Sequence, residues 1–229
     1  MTRRLALAVY GSLMLAGSAG AQVGYLPSRS PFRDLEHSQE LTLIAGPYKT
    51  HRDNADVAPR DGLLVGAHYE WRAAGPAHLT GELAVINSER RVLNPFAVGT
   101  ALDLGLEKTP LYSANVGLGL SLTGAKSWHN IVPEINGGLG LISDFKTKPD
   151  SGGFRFGTRF ALTWGGGIRL VPHGRWQVRA DVTNRMYTIS YPSAFYVAPT
   201  GGTAVVPEQQ ARSFWTINPA FTLGVSRLF

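Results

Sequence analysis

From residue 39 onward the hydrophobic pattern of the chain has a period of two, in runs the length of membrane-crossing strands. Across Gly62 to Arg72, Leu63, Val65, Ala67, Tyr69 and Trp71 alternate with Leu64, Gly66, His68, Glu70 and Arg72. One face is apolar and closes on aromatics; the other is small or charged. Arg159 to Leu170 repeats the pattern, with Phe160, Leu162, Trp164 and Ile168 against Arg159, Thr163, Gly165, Gly167 and Arg169. The same parity turns Val178, Ala180 and Val182 outward and Gln177, Arg179, Asp181 and Thr183 inward. Eight strands are predicted, near 39–48, 62–73, 78–87, 111–123, 129–142, 157–171, 176–189 and 215–229.

The connections between them alternate long and short. Segments 49–61, 88–110, 143–156 and 190–214 are long, whereas 74–77, 124–128 and 172–175 are tight. Short turns at one end and extended loops at the other are the connection pattern of outer-membrane barrels, and both termini fall at the short-turn, periplasmic end. The predicted fold is therefore all-β: an eight-stranded antiparallel up-and-down transmembrane β-barrel over 39–229. A lipocalin-like soluble barrel shares the alternation with its apolar face inward. The loop asymmetry favours the membrane.

The N-terminus carries the three regions of an export signal: Arg3 and Arg4, the apolar run Leu5 to Ala16, and the small-x-small site Ala19-Gly20-Ala21. Cleavage there starts the mature chain at Gln22 and lowers the formal charge from +6 to +4. The basic residues are interleaved with acidic ones, which argues against nucleic acid as a partner. With no cysteine in the chain, disulfides and Cys-based metal sites are excluded. No run reaches the roughly 18 apolar residues of a membrane helix. Residues 22–38 form a periplasmic lead, either plugging the barrel or unstructured.

In the last strand, Phe221, Leu223, Val225 and Phe229 recur at every second residue, with Thr222 and Gly224 between them. This resembles the C-terminal signal read by the barrel-insertion machinery; Arg227 departs from it. The chain as a whole resembles the OmpA/OmpX/OmpW-like eight-stranded outer-membrane barrels. More narrowly, Ser30-Pro31-Phe32-Arg33-Asp34-Leu35, the stretch Asp150 to Gly157 and the stretch Val178 to Thr183 resemble segments of uncharacterised bacterial outer-membrane β-barrel proteins. The resemblance implies a fold, an outer-membrane location, lipid as surroundings and the insertion machinery as a partner. It brings no catalytic residue and no ligand.

Parity points Glu40, Glu70, Glu82, Glu134 and Asp181 inward with Arg72, Arg159, Arg169, Arg179 and Arg185. Eight strands enclose an interior that side chains can fill, so these charges are expected to form an ion-pair network that closes the lumen, with inward glycines leaving room for them. The alternative is a selectivity constriction. Trp71, Trp176 and Phe229 at the periplasmic end, and Tyr112, Phe160 and Trp215 at the other, are the expected interfacial aromatics.

Ser127, His129 and Glu134 are neighbours in sequence, and some eight-stranded barrels are lipid-modifying hydrolases. No motif here supplies a nucleophile with its base, so no enzyme is expected. His68 reads as an interior hydrogen-bonding residue, the six histidines show no metal-ligand spacing, and no cofactor is implied. Apolar residues in 190–214 (Tyr191, Phe195, Tyr196, Phe214) and in 88–110 (Leu93, Phe96, Leu102, Leu104, Leu106) either form contact surfaces or pack over the barrel mouth. The expected function is a small outer-membrane barrel that is structural or interaction-bearing through its loops. A narrow porin-like channel is the alternative, then a lipid-modifying enzyme; the extracellular partner is unknown.

Overall fold

In the computed structural model, residues 30–172, 174–207 and 209–229 are described. The export signal expected at 1–21 and the start of the lead lie outside them. The chain divides into two units, Met1–Phe32 and Arg33–Phe229, and the barrel lies wholly in the second.

Alternation along each strand puts one set of side chains on each surface, and only closure of the sheet gives both sets a uniform environment. In chain order the strands are β1 (Phe32–Asp34), β2 (Gln39–Tyr48), β3 (Gly62–Ala74), β4 (Ala77–Asn87), β5 (Glu89–Leu93) and β6 (Asp103–Lys108). They continue with β7 (Leu111–Ser121), β8 (Lys126–Trp128), β9 (Ile131–Ser143), β10 (Thr158–Leu170), β11 (Trp176–Ser190) and β12 (Ser213–Leu228). Eight of them form the barrel, running β2-β3-β4-β7-β9-β10-β11-β12 and returning to β2. Every neighbouring pair is antiparallel. Leu228 pairs with Glu40 and Leu223 with Ala45, so the last strand closes on the first and leaves no sheet edge.

The outer surface is apolar on all sides. Leu43, Leu83, Val116 and Leu223 are 69, 66, 66 and 68% exposed, on four different strands. In water a monomer rarely shows contiguous apolar patches beyond a few hundred Å². A belt around a whole barrel is the surface that a bilayer covers.

Strand ends move by one or two residues from those predicted, and two connections differ in kind. Segment 88–110, expected to be irregular, contains the hairpin β5–β6, in which Glu89 pairs with Lys108 and Arg91 with Leu106. The connection expected at 124–128 runs from 122 to 130, with β8 inside it. His129 and Asn130, expected to open the next strand, have φ of 50° and 64°. That left-handed conformation belongs to a turn, so the strand begins at Ile131. At the first short turn, Gly75 supplies the positive φ (53°) that a two-residue hairpin connection needs.

The segment between β1 and β2 is bonded to the short-turn rim. Leu35 N–H donates to Ala125 O in the β7–β9 connection, while Ser38 O accepts from Arg72 N–H on β3, two strands round the barrel from β7.

Candidate functional site

Three layers of side chains occupy the lumen. The first, near the short turns, is ionic. Glu40 and Glu70 sit directly across from each other on β2 and β3, and Arg169 and Arg179 are likewise opposed on β10 and β11. Each like-charged pair alone would be destabilising. The two pairs face one another across the barrel, and the repulsions are replaced by cross-lumen bridges. Arg179 Nη1 donates to Glu70 Oε1 at 2.7 Å, and Arg169 bonds Glu40. Glu134 takes Arg169 Nη2 at 2.5 Å and the Ser121 hydroxyl at 3.1 Å. Asp181 binds Arg179 from the same strand, through Nε at 2.8 Å and Nη2 at 3.0 Å.

The second layer is smaller. Glu82 on β4 pairs with Arg185 on β11 and accepts from Asn115 Nδ2 at 3.3 Å. His68 joins the two layers, with Nε2 3.0 Å from Glu70 and Nδ1 3.9 Å from Glu82. Beside them lies a cavity of about 30 Å³ with Thr80, Asn115 and Thr163 in its wall, polar and large enough for water. Glycines make space for the long side chains. A Cβ at Gly167 would meet Asp181 Oδ1 at 2.2 Å, and one at Gly119 would meet the His78 ring at 2.4 Å.

The third layer, toward the long loops, is apolar and aromatic, and parity reasoning did not anticipate it. Tyr48 and Tyr187 are fully buried with hydroxyls 3.2 Å apart. Phe156 packs edge-on against Tyr187, with ring centroids at 5.6 Å. Loop residues Val57, Phe154, Phe195 and Val206 join Leu64, Ile86, Leu111 and Ile142 of the strands in one buried cluster. Asp53 fixes the first long loop over it. Its carboxylate accepts from Ala58 N–H at 2.9 Å, Val57 N–H at 3.2 Å and the Tyr191 hydroxyl at 2.7 Å. Burial, then the bond to Asp53, raise the Tyr191 pKa.

Of the ten residues expected in the ion-pair network, eight are brought together: Glu40, Glu70, Glu82, Glu134, Arg169, Arg179, Asp181 and Arg185. Arg72 and Arg159 are placed elsewhere. Arg72 lies at the short-turn rim, where its guanidinium donates to Leu35 O at 2.8 Å. Arg159 lies in the aromatic layer, donating to Thr188 O at 2.6 Å with its guanidinium 5.2 Å from the Phe156 ring. Both point inward as parity requires, but they sit at the two ends of the lumen and make no ion pair among the described residues.

The aromatics Trp71, Tyr112, Phe160, Trp176, Trp215 and Phe229 are exposed on the outer surface, and Arg227 lies 5.6 Å from the Phe229 ring. Trp128, in the β7–β9 connection, is also exposed and was not singled out by strand parity. Ser127, His129 and Glu134 point apart. The Ser127 hydroxyl donates to Arg33 O, the exposed His129 ring rests edge-on against Trp128 at 4.7 Å, and Glu134 is inside the barrel on Arg169. The long-loop residues divide: Leu93, Tyr191 and Phe195 are buried over the mouth, whereas Phe96, Leu104 and Leu106 are exposed.

No family model matches the chain, and no curated protein matches it. Among solved structures the chain is similar to Neisserial surface protein A, at 10% identity and a TM-score of 0.51, covering 83% of this chain and 97% of that one. It also aligns with the outer-membrane protein OprG from Pseudomonas aeruginosa at 13% identity and a TM-score of 0.47, covering 84% and 97%. The first likeness shows a shared fold, the eight-stranded membrane barrel.

Proposed function

We propose that this protein is a small integral outer-membrane barrel with a closed lumen, acting through the surface that its long loops build. The opposition of Glu40 and Glu70 to Arg169 and Arg179 across the lumen carries the reading. Salt bridges that join facing walls close the path an ion would need to cross the lumen, and the aromatic layer fills the other end. Barrels with aqueous channels generally have about 16 strands or more. The outer leaflet and inner leaflet meet the two sets of exposed aromatics, lipid covers the belt between them, and the insertion machinery engages the last strand ending at Phe229. Phe96, Val98, Leu104 and Leu106 give the loops an exposed apolar contact surface.

Single-channel recording of the refolded protein in a planar bilayer tests the closed lumen. A silent bilayer with inserted protein is expected; steady conductance steps would overturn the reading in favour of a narrow channel.

A further inference from the structure

At the short-turn end of the lumen two side chains, His78 and Glu70, are left incompletely satisfied by the ion-pair network, and Glu134 lies beside them. His78, the second residue of β4, is 5% exposed, and its buried Nε2 has no hydrogen-bond partner. Glu70 gives Oε1 to Arg179 and His68, while its buried Oε2 has none, the nearest cation being Arg169 Nη1 at 3.5 Å. Glu134 Oε1 lies 3.7 Å from His78 Nε2. One ligand atom from each of Glu70, His78 and Glu134 lies within 4.8 Å of the other two. Buried polar atoms are ordinarily paired. An orphaned imidazole nitrogen and an orphaned carboxylate oxygen beside a further carboxylate are the donor set of a cation site.

Charge points the same way. The carboxylates of Glu40, Glu70, Glu82, Glu134 and Asp181 make ion pairs with three guanidiniums, those of Arg169, Arg179 and Arg185. His68 adds at most one positive charge, and Arg72 is turned to Leu35 O. The ion-paired set therefore holds two more carboxylates than guanidiniums in a buried place, where an uncompensated charge is costly and a bound cation would offset it.

We propose that Glu70, His78 and Glu134 bind one divalent transition cation of the zinc class. An imidazole nitrogen with two carboxylates suits Zn²⁺, Ni²⁺ or Cu²⁺, whereas Mg²⁺ and Ca²⁺ take all-oxygen sets. Bond lengths of about 2.0–2.2 Å require the three ligand atoms to draw together by about 1 Å, a movement within the reach of the two glutamate side chains. Arg169 shares both carboxylates and competes with the ion, so the site is weaker than one whose ligands are free. Gly119 opposite His78 is what lets the ring lie inside the lumen. Entry is from the short-turn mouth, because His78 follows the turn at 75–76 and its cross-strand partner is the rim residue Arg72.

The test is a Zn²⁺ titration of the chelator-stripped, refolded protein against a chromophoric competitor, with Mg²⁺ and Ca²⁺ run alongside. One Zn²⁺ per chain is expected, weakened about 100-fold or more by His78→Ala and unchanged by His129→Ala, which removes an exposed histidine. Zn²⁺ should raise the Tm of the wild type and not that of His78→Ala. Absence of binding, equal binding by His78→Ala, or Ca²⁺ and Mg²⁺ binding as tightly as Zn²⁺ would each overturn the site. If His78→Ala does not refold, Co²⁺ added to the wild type decides: a visible absorption band of low-coordinate Co²⁺ is expected, and its absence overturns the site.

Discussion

Arg90 closes its guanidinium on Asp150 through two parallel hydrogen bonds of 2.6 Å, tying the β5–β6 hairpin to the loop that follows β9. Arg90 is 1% exposed, its guanidinium lies 5.5 Å from the Phe154 ring, and its other carboxylate, Glu107, is 3.5 Å away. Breaking a buried pair costs about 3 to 5 kcal/mol because the remaining charge is stranded. The residual contact to Glu107 sets Asp150→Ala toward the lower end. The loss is expected in the loops and not in the barrel. Limited proteolysis within 88–110 and 144–157 should speed up while the heat-modifiable gel shift of the folded barrel is retained. Unchanged proteolysis would show that the loops are held by their apolar contacts alone.

A second expectation concerns acid. Asp61 receives Lys49 Nζ at 2.7 Å and Thr50 N–H at 2.8 Å, clamping both ends of the first long loop. Partial burial raises its pKa, but the bonds from Lys49 and Thr50 outweigh it and bring the value below the ordinary 3.8. A carboxylate depressed in the folded state stabilises above its unfolded pKa, and that contribution disappears as the pH falls through the folded value. The Thr50 amide should therefore be protected at pH 6 and lose that extra protection only once the pH has fallen below 3.8. In Asp61→Asn, whose amide oxygen still accepts but does not titrate, the protection should not change between the two pH values; a wild-type pH profile in that variant would rule out the clamp.

The barrel was legible because a closed sheet writes its two environments into alternate residues, as Gly62 to Arg72 shows. The hairpin in 88–110 was not, since β6 (Asp103–Lys108) is exposed along its whole length and has no buried face to set a period. Parity also gave the direction of each charge but not its depth. Glu82 and Arg185 are 103 residues apart and meet because β4 and β11 are opposite walls, which depends on register around the whole barrel. The Glu70, His78 and Glu134 group was invisible for the same reason: its members stand on three strands. The aromatic layer depends on Phe154 and Phe156, loop residues whose position no strand period fixes.

Glycine packing gives a paired test within the sheet. A Cβ at Gly165 would fall 2.1 Å from Val182 O, a backbone atom, whereas one at Gly81 would meet nothing within 4 Å. Overpacking of this kind costs about 1–3 kcal/mol. Replacing an unconstrained glycine by alanine gains about 0.4–1 kcal/mol through the unfolded chain. Urea midpoints in micelles should thus fall for Gly165→Ala and hold or rise for Gly81→Ala. A reversed order would mean that β10 and β11 are not registered with Gly165 opposite Thr183.

The lumen charges are not equivalent, and their partners rank them. The inward direction of Asp181 and Arg179 suggests from sequence that Asp181→Ala strands a guanidinium. In the barrel Arg179 keeps Glu70 at 2.7 Å, Glu134 at 3.6 Å and Glu40 at 3.7 Å when Asp181 is removed. Arg185 has no such reserve. Its one ion pair among the described residues is with Glu82, and its Nε and Nη1 are buried without partners. Glu82→Ala should therefore cost the full penalty of a buried, orphaned charge, about 3 to 5 kcal/mol. Asp181→Ala should cost what a hydrogen bond to a charged group is worth, about 1.5 to 3 kcal/mol. Neutralising both partners, Glu82→Gln with Arg185→Met, should recover much of the first loss, because the penalty arises from the stranded guanidinium and not from the absence of the bridge. The measurement is the urea midpoint of each variant in the same micelle. If Asp181→Ala unfolds at lower urea than Glu82→Ala, the four carboxylates do not share Arg179. If the double variant is no better than Glu82→Ala, the second layer is wet enough to solvate Arg185 on its own.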